Sequence, residues 1–263
     1  MSMIVRVKQQ QIAQLMGKGK RLDGRGLNDY RDIKLEMGVI EKAEGSARVF
    51  LGKTEVLVGV KIETGEPFSD TPNEGVLTVN AELVPLASPS FEPGPPDENS
   101  IELARVVDRG LRESKVLNFE KLCLDPGKKV VVVFVDVYVL NHDGNLIDAS
   151  AIAALAALVN TKMPKYGIEE GEVKVKSSYT PLPVQNYPIA VTFAKISDQL
   201  AVDPWLEEEQ VMDARLTMTI EKEGRICAIQ KGGTGYFTTE QISEAGKIAK
   251  EKAAEIRKLV VKE

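Results

Sequence analysis

The stretch that decides the fold runs Lys129-Val130-Val131-Val132-Val133-Phe134-Val135-Asp136-Val137-Tyr138-Val139-Leu140, then His142-Asp143-Gly144-Asn145, then on from Ile147 to Val159. Its first part is apolar almost throughout, which suits a central strand covered on both faces. The tetrad His142-Asp143-Gly144-Asn145 signals a turn. The segment after it is alanine-rich and apolar on every side, so it reads as a buried helix.

Toward the N-terminus, strand-like runs at 33–37, 46–51, 55–62 and 76–86 are punctuated by Gly38, Gly45, Gly52 and Gly65. Spaced apolar residues over 3–18 suggest a helix or arm that ends at Gly17-Lys18-Gly19-Lys20. Ser88-Pro89-Ser90-Phe91-Glu92-Pro93-Gly94-Pro95-Pro96 cannot be regular structure and must be a loop, with a helix after it from about Asn99 to Glu113.

Toward the C-terminus, strands are expected near 172–178, 188–196 and 199–203, then a hairpin over 214–230 that turns at Lys222-Glu223-Gly224. In its first strand Ala214, Leu216, Met218 and Ile220 share one face, and Arg215, Thr217, Thr219 and Glu221 the other. Thr238 and Gln241 make a capping box for a last helix whose core stripe is Ile242, Ala245, Ala249 and Ile256. Strands followed by helices, twice over, indicate a duplicated α+β unit. The chain divides into an N-terminal arm (1–28), a first half (29–165) and a second half (166–263).

A chain of 263 residues, 43% hydrophobic and 28% charged, can bury a full core. Cys123 and Cys227 lie far apart without metal-type spacing and read as reduced core residues. No apolar run reaches membrane-spanning length and the start lacks the apolar block of a signal peptide, so a cytoplasmic protein with no membrane partner is expected. The net charge of −5 gives no general attraction to nucleic acid, so any such role needs a local basic patch. The single histidine, His142, reads as a turn residue and excludes histidine-rich metal sites.

Two segments carry candidate chemistry. Asp203-Pro204-Trp205-Leu206-Glu207-Glu208-Glu209 is an acidic turn leading to the strand at Ala214. Such acids can hold a metal, act as a base, or be solvated only. In Ser100–Glu113 the arginines Arg105, Arg109 and Arg112 fall within roughly 60° of one another at about 100° per residue, with Leu103, Val107 and Leu111 opposite. Guanidinium groups suit phosphate because their planar fork donates paired hydrogen bonds. A solvated helix face neutralised by Glu102, Asp108 and Glu113 is the plainer alternative.

Arg21-Leu22-Asp23-Gly24-Arg25, Gly45-Ser46-Ala47, Leu51-Gly52-Lys53-Thr54, Phe91-Glu92-Pro93-Gly94-Pro95-Pro96 with the arginine helix, and Asp203-Pro204 through Glu209 together resemble the RNase PH family, in order and over nearly the whole chain. Within that family the chain looks most like the non-catalytic subunits of archaeal exosome cores. The resemblance implies a duplicated RNase PH fold with a ribosomal S5 domain 2-like half, assembled into a ring. Active members degrade RNA from the 3′ end with inorganic phosphate as the attacking group. They need a glycine-rich loop with hydroxyl and arginine at a helix N-terminus, a carboxylate beside the leaving oxygen, and a basic groove.

By that pattern the phosphate loop falls at Asp143-Gly144-Asn145-Leu146-Ile147, where Leu146 and Ile147 cannot donate to phosphate. The acids of active members map to Glu209 and to Arg215, which reverses the charge; Asp213 substitutes only after a two-residue slip. The resemblance therefore implies no catalytic residue, cofactor or metal on this chain, with phosphate and any Mg²⁺ held by a catalytic paralogue. It assigns Arg105, Arg109 and, less directly, Arg112 to RNA. The implied partners are that paralogue, in an alternating ring of three heterodimers, RNA-binding cap subunits and single-stranded RNA. Two alternatives stay open: an active phosphorolytic exoribonuclease using Glu207, Glu208, Glu209 or Asp213, and an RNA-binding scaffold unrelated to degradation.

Overall fold

The computed structural model describes residues 3–169 and 172–261. Residues 1, 2, 170, 171, 262 and 263, which belong to the arm and the second half as divided above, lie outside the described residues. The order of elements is α1 (Met3–Met16), β1 (Ile33–Met37), β2 (Gly45–Leu51), β3 (Thr54–Gly65), β4 (Val76–Leu83), α2 (Glu98–Glu113), a short 3₁₀ turn (Phe119–Leu122), β5 (Cys123–Asp125), β6 (Lys129–Asn141) and α3 (Leu146–Asn160). There follow β7 (Lys162–Glu169), β8 (Glu172–Pro181), β9 (Ile189–Ile196), β10 (Gln199–Val202), α4 (Leu206–Glu209), β11 (Ala214–Ile220), β12 (Ile226–Gly233) and α5 (Thr239–Val260).

The first sheet has six strands in the order β1-β2-β3-β6-β4, with β5 also on β6, and only the β4–β6 pair is parallel. The second sheet has four antiparallel strands in the order β10-β9-β11-β12. Helices α2 and α3 lie between the two sheets, α3 against β2, β3 and β9, and α2 against β4 and β12. Helix α5 covers the outer face of the second sheet and packs on β9 and β11. One continuous apolar core therefore joins both halves, from Val49 and Val135 through Ile152 and Leu155 to Phe193 and Met218. Burial of α3 on all sides matches its alanine content, since small side chains let two sheets approach one helix.

Two sequence expectations are corrected, on β6 and on Ile242. Strand β6 is covered on one face only: Val131, Val133, Val135, Val137 and Val139 are buried, whereas Phe134, Asp136 and Tyr138 point away from the helices and stay partly exposed. Strand β9 is covered on both faces and buried at every residue, because α3 lies on one side and α5 on the other. Ile242 is 41% exposed, and the stripe of α5 continues instead through Gly246, Ala253, Ile256 and Val260. The strand expected near 172–178 is present as β8 and pairs with β7 in a ribbon separate from both sheets.

The arm packs on the second half. Ile12 and Met16 of α1 meet Ile196, Ala201 and Val211 in a small satellite core. Among the described residues no helix is long and apolar enough to cross a membrane.

Candidate nucleic-acid interface

Helix α2 begins where the Asp97 carboxylate accepts from the Ser100 N–H at 2.8 Å, satisfying a free N-terminal donor. Leu103, Val107 and Leu111 are buried as the heptad-like spacing requires. Gly110 lets the helix approach β11, because a Cβ there would sit 3.1 Å from Thr219 Oγ1. This close seating leaves Arg105, Arg109 and Arg112 exposed on the outer face.

The three arginines differ in what they already hold. Among the described residues the Arg105 side chain has no ion pair and no hydrogen bond. Arg109 makes one long contact, Nη1 to Gln230 Oε1 at 3.4 Å. Arg112 is tied down, donating to the Asp108 carboxylate and to the Leu77 carbonyl, each at 2.8 Å. Two guanidinium groups are thus available for an anionic ligand, and a third is committed to the fold.

Beside the helix lies the turn that starts α3. Gly144 has φ +88°, and a Cβ there would stand 2.5 Å from the Leu206 amide nitrogen, so only glycine lets this turn meet the acidic segment. Asn145 is left-handed at φ 52° and caps α3, its side chain accepting from the Asp148 N–H. Its Nδ2 donates to Asp148 Oδ2 and Asp203 Oδ1, both at 2.8 Å. The Asn145 backbone N–H, which faces out from the helix end, donates to Glu209 Oε1 at 2.9 Å. A carboxylate of this chain thus occupies the anion position at the N-terminus of α3.

Glu209, Arg215, His142, Asn145, Leu146 and Ile147 line part of a cavity of about 250 Å³. Burial raises the Glu209 carboxyl to about 7, against the Asn145 N–H and the Arg215 and Arg31 charges, which pull it down. Arg215 donates to Glu102 Oε1 at 2.6 Å, while its buried Nε has no partner. The Asp213 carboxylate accepts from Gln9 Nε2 at 3.1 Å and from the Ser197 N–H at 2.7 Å, and Asp213 is not among the residues that line the cavity. Among the described residues no three His, Cys, Asp or Glu are grouped to hold a metal ion. His142 stacks on Phe91 with centroids 5.4 Å apart, and burial lowers its pKa.

Asp203 is the hub of the acidic turn. Arg31 grips it with Nη2 to Oδ1 at 2.7 Å and Nε to Oδ2 at 2.9 Å, and Arg25 Nη1 adds a bond at 2.8 Å. Burial alone would raise this carboxyl, but the Arg31 contacts outweigh it and hold the pKa below the usual value. Arg21 pairs with Glu208, both buried, and donates to the Val202 and Asp203 carbonyls. The Arg21–Arg25 motif therefore clamps the arm onto the acidic turn. Sequence reasoning marked that motif without finding its role, and it passed over Arg31 and Tyr30, which no spacing marks. Tyr30 donates to buried Asp148 at 2.8 Å, and Thr192 donates to the same carboxylate through its N–H and hydroxyl.

Residues 29–164 match the first domain of the 3′ exoribonuclease family, RNase PH, and residues 186–252 match its second domain. The chain belongs to the RNase PH family. It is 56% identical over 264 residues to the exosome complex component Rrp42 of Thermococcus kodakarensis, covering 100% of this chain and 97% of that protein. It is 60% identical over 252 residues to the exosome complex component Rrp42 of Pyrococcus horikoshii, covering 95% of this chain and 92% of that protein. Among solved structures it superposes on a chain of the Archaeoglobus fulgidus exosome with RNA bound to the active site, with TM-score 0.89, 46% identity, and 98% and 99% of the two chains covered. A chain of an archaeal exosome core matches with TM-score 0.85 and 43% identity over 97% of this chain and 96% of that one.

Proposed function

We propose that this chain is a non-catalytic, RNA-binding ring subunit of an archaeal exosome core that works in the cytoplasm in 3′-to-5′ RNA degradation. It pairs with a catalytic RNase PH-type paralogue, three such pairs closing an alternating ring that carries RNA-binding cap subunits. Phosphate and any Mg²⁺ belong to the paralogue. Near full-length similarity to exosome components supports the assembly. The observation that carries the non-catalytic reading is the Glu209 carboxylate on the Asn145 N–H, followed by Leu146 and Ile147. The side chains of Leu146 and Ile147 offer an attacking phosphate no donor, and Arg215 stands where a carboxylate would have to act.

Arg105 and Arg109 lend positive charge to single-stranded RNA running past the subunit boundary, with Arg112 contributing through its outer edge. Contacts of this kind hold the backbone without reading bases. The test is phosphate-dependent degradation of labelled single-stranded RNA by the chain alone and then with its paralogue. Silence alone and nucleoside diphosphate release by the mixture are expected. Diphosphate release by the chain alone, with contaminating nuclease excluded, would overturn the reading.

A further inference from the structure

The Phe91–Pro96 segment touches the cavity just described only through Phe91, and it forms the wall of a second cavity. This cleft, of about 560 Å³, lies between the C-terminal end of β4 and the proline loop. Its lining includes the acids Glu82, Glu92 and Asp97 and no lysine, arginine or histidine. Asp97 spends its carboxylate on the start of α2, but among the described residues Glu82 and Glu92 have no ion pair or hydrogen bond. Asp136, on the strand paired with β4, adds negative charge beside Glu82, and the two together raise the Tyr138 pKa along with burial.

The wall is preformed. Phe91 is held at one end by its stack on His142 and by its N–H donating to the Ser88 carbonyl at 3.1 Å. At the other end Asp97 is fixed as the cap of α2. Between them Pro93, Pro95 and Pro96 each have a restricted φ and no N–H. Among the described residues nothing donates to the carbonyls of Glu92, Pro93, Gly94, Pro95 or Pro96. Leu86, which follows the lining residue Pro85 in the chain, is 82% exposed. Free acceptors, two unpaired carboxylates and an apolar edge call for a ligand rich in donors, positively charged, and carrying an apolar side chain.

We propose that this cleft is a docking site for an extended lysine- or arginine-rich segment of a partner protein, with an apolar residue of that segment seated against Leu86 and Phe91. The charge favours a peptide over RNA, since three carboxylates and no cation would repel a phosphate backbone. A prearranged, proline-stiffened wall also lowers the ordering cost of binding.

The test uses the full chain and a fluorescein-labelled peptide, Gly-Lys-Leu-Arg-Lys-Gly, against its counterpart with glutamate at each basic position. Saturable binding of the basic peptide alone is expected, weakening with salt, with NMR methyl shifts at Leu83, Val84 and Leu86. The doubly substituted Glu82→Lys/Glu92→Lys chain should bind it at least about tenfold more weakly, because like charges then face each other. Both positions are exposed, so circular dichroism should show an unchanged fold. No binding, or binding indifferent to the double substitution, overturns the proposal. A single-stranded RNA that shifts the same methyl groups overturns it in favour of a nucleic-acid site. None of these outcomes bears on Arg105 or Arg109, so the proposed function stands or falls separately.

Discussion

At the scale of single residues, Glu209 is the group whose protonation the fold most alters at neutral pH. Its folded pKa of about 7 lies above the reference 4.5, so between those values the native state binds more protons than the unfolded chain. Stability contributed by this group is therefore full below pH 4.5 and is lost as pH rises through about 7. Asp148, raised to about 6, acts with the same sign over a lower window. Asp203, with a lowered pKa, acts oppositely and only in acid. Glu209→Gln keeps an oxygen acceptor for the Asn145 N–H and removes the titration. The variant should lose most of the decline in stability between pH 6 and 8 and be about 1–2 kcal/mol more stable than the natural chain at pH 8. Urea denaturation across that range measures it. A variant that keeps the natural slope would show that Glu209 is already ionised at pH 6.

At the scale of elements, α2 divides its labour by face, and that division predicts its variants. Arg105→Ala/Arg109→Ala removes two exposed guanidinium groups and leaves the buried face of the helix intact, so stability should change by less than about 0.5 kcal/mol per site. In the assembled ring the same variant should weaken single-stranded RNA binding, with the log–log salt slope falling by about 0.7 for each phosphate that is no longer neutralised. Arg112→Ala should behave differently, costing stability through the Leu77 carbonyl and Asp108 and changing the slope less. Fluorescence anisotropy at several salt concentrations separates the two; equal slopes for all variants would remove α2 from the RNA path. The amphipathic spacing of α2 and the capping box of α5 were legible because helix geometry is local. The open face of β6 was not, because a run of valines packs as well on one covered face as on two. Ile242 misled for a related reason: its place on the stripe is right, but it lies in the first turn of α5, where cover is incomplete.

At the scale of the whole molecule, the arm, the first half and the second half are joined through buried polar groups as well as a shared core. Asn145 and Asp148 from the α3 turn and Arg31 from the start of the first half meet Asp203 and Thr192 from the second half, and Arg21 and Arg25 bring the arm to the same place. From sequence the acidic turn could hold a metal, act as a base or be solvated only, because sequence cannot show that distant arginines neutralise it. Only the pairing of types, an arginine motif early and an acidic motif late, was visible. Such coupling predicts one cooperative unfolding transition rather than two. Arg21→Ala strands the Glu208 carboxylate and the Val202 carbonyl in the interior and leaves the Asp203 carbonyl with Arg25 alone, which should cost about 3–5 kcal/mol while keeping a single transition. Arg21→Met/Glu208→Leu replaces the pair by apolar groups of similar bulk and should recover part of that loss, because the stranded charge is gone. Recovery will be incomplete, since the Val202 and Asp203 carbonyls still lack the Arg21 donors. Urea denaturation of the two variants beside the natural chain decides the matter. If the double variant is no more stable than Arg21→Ala, the clamp acts through those carbonyls rather than through the ion pair.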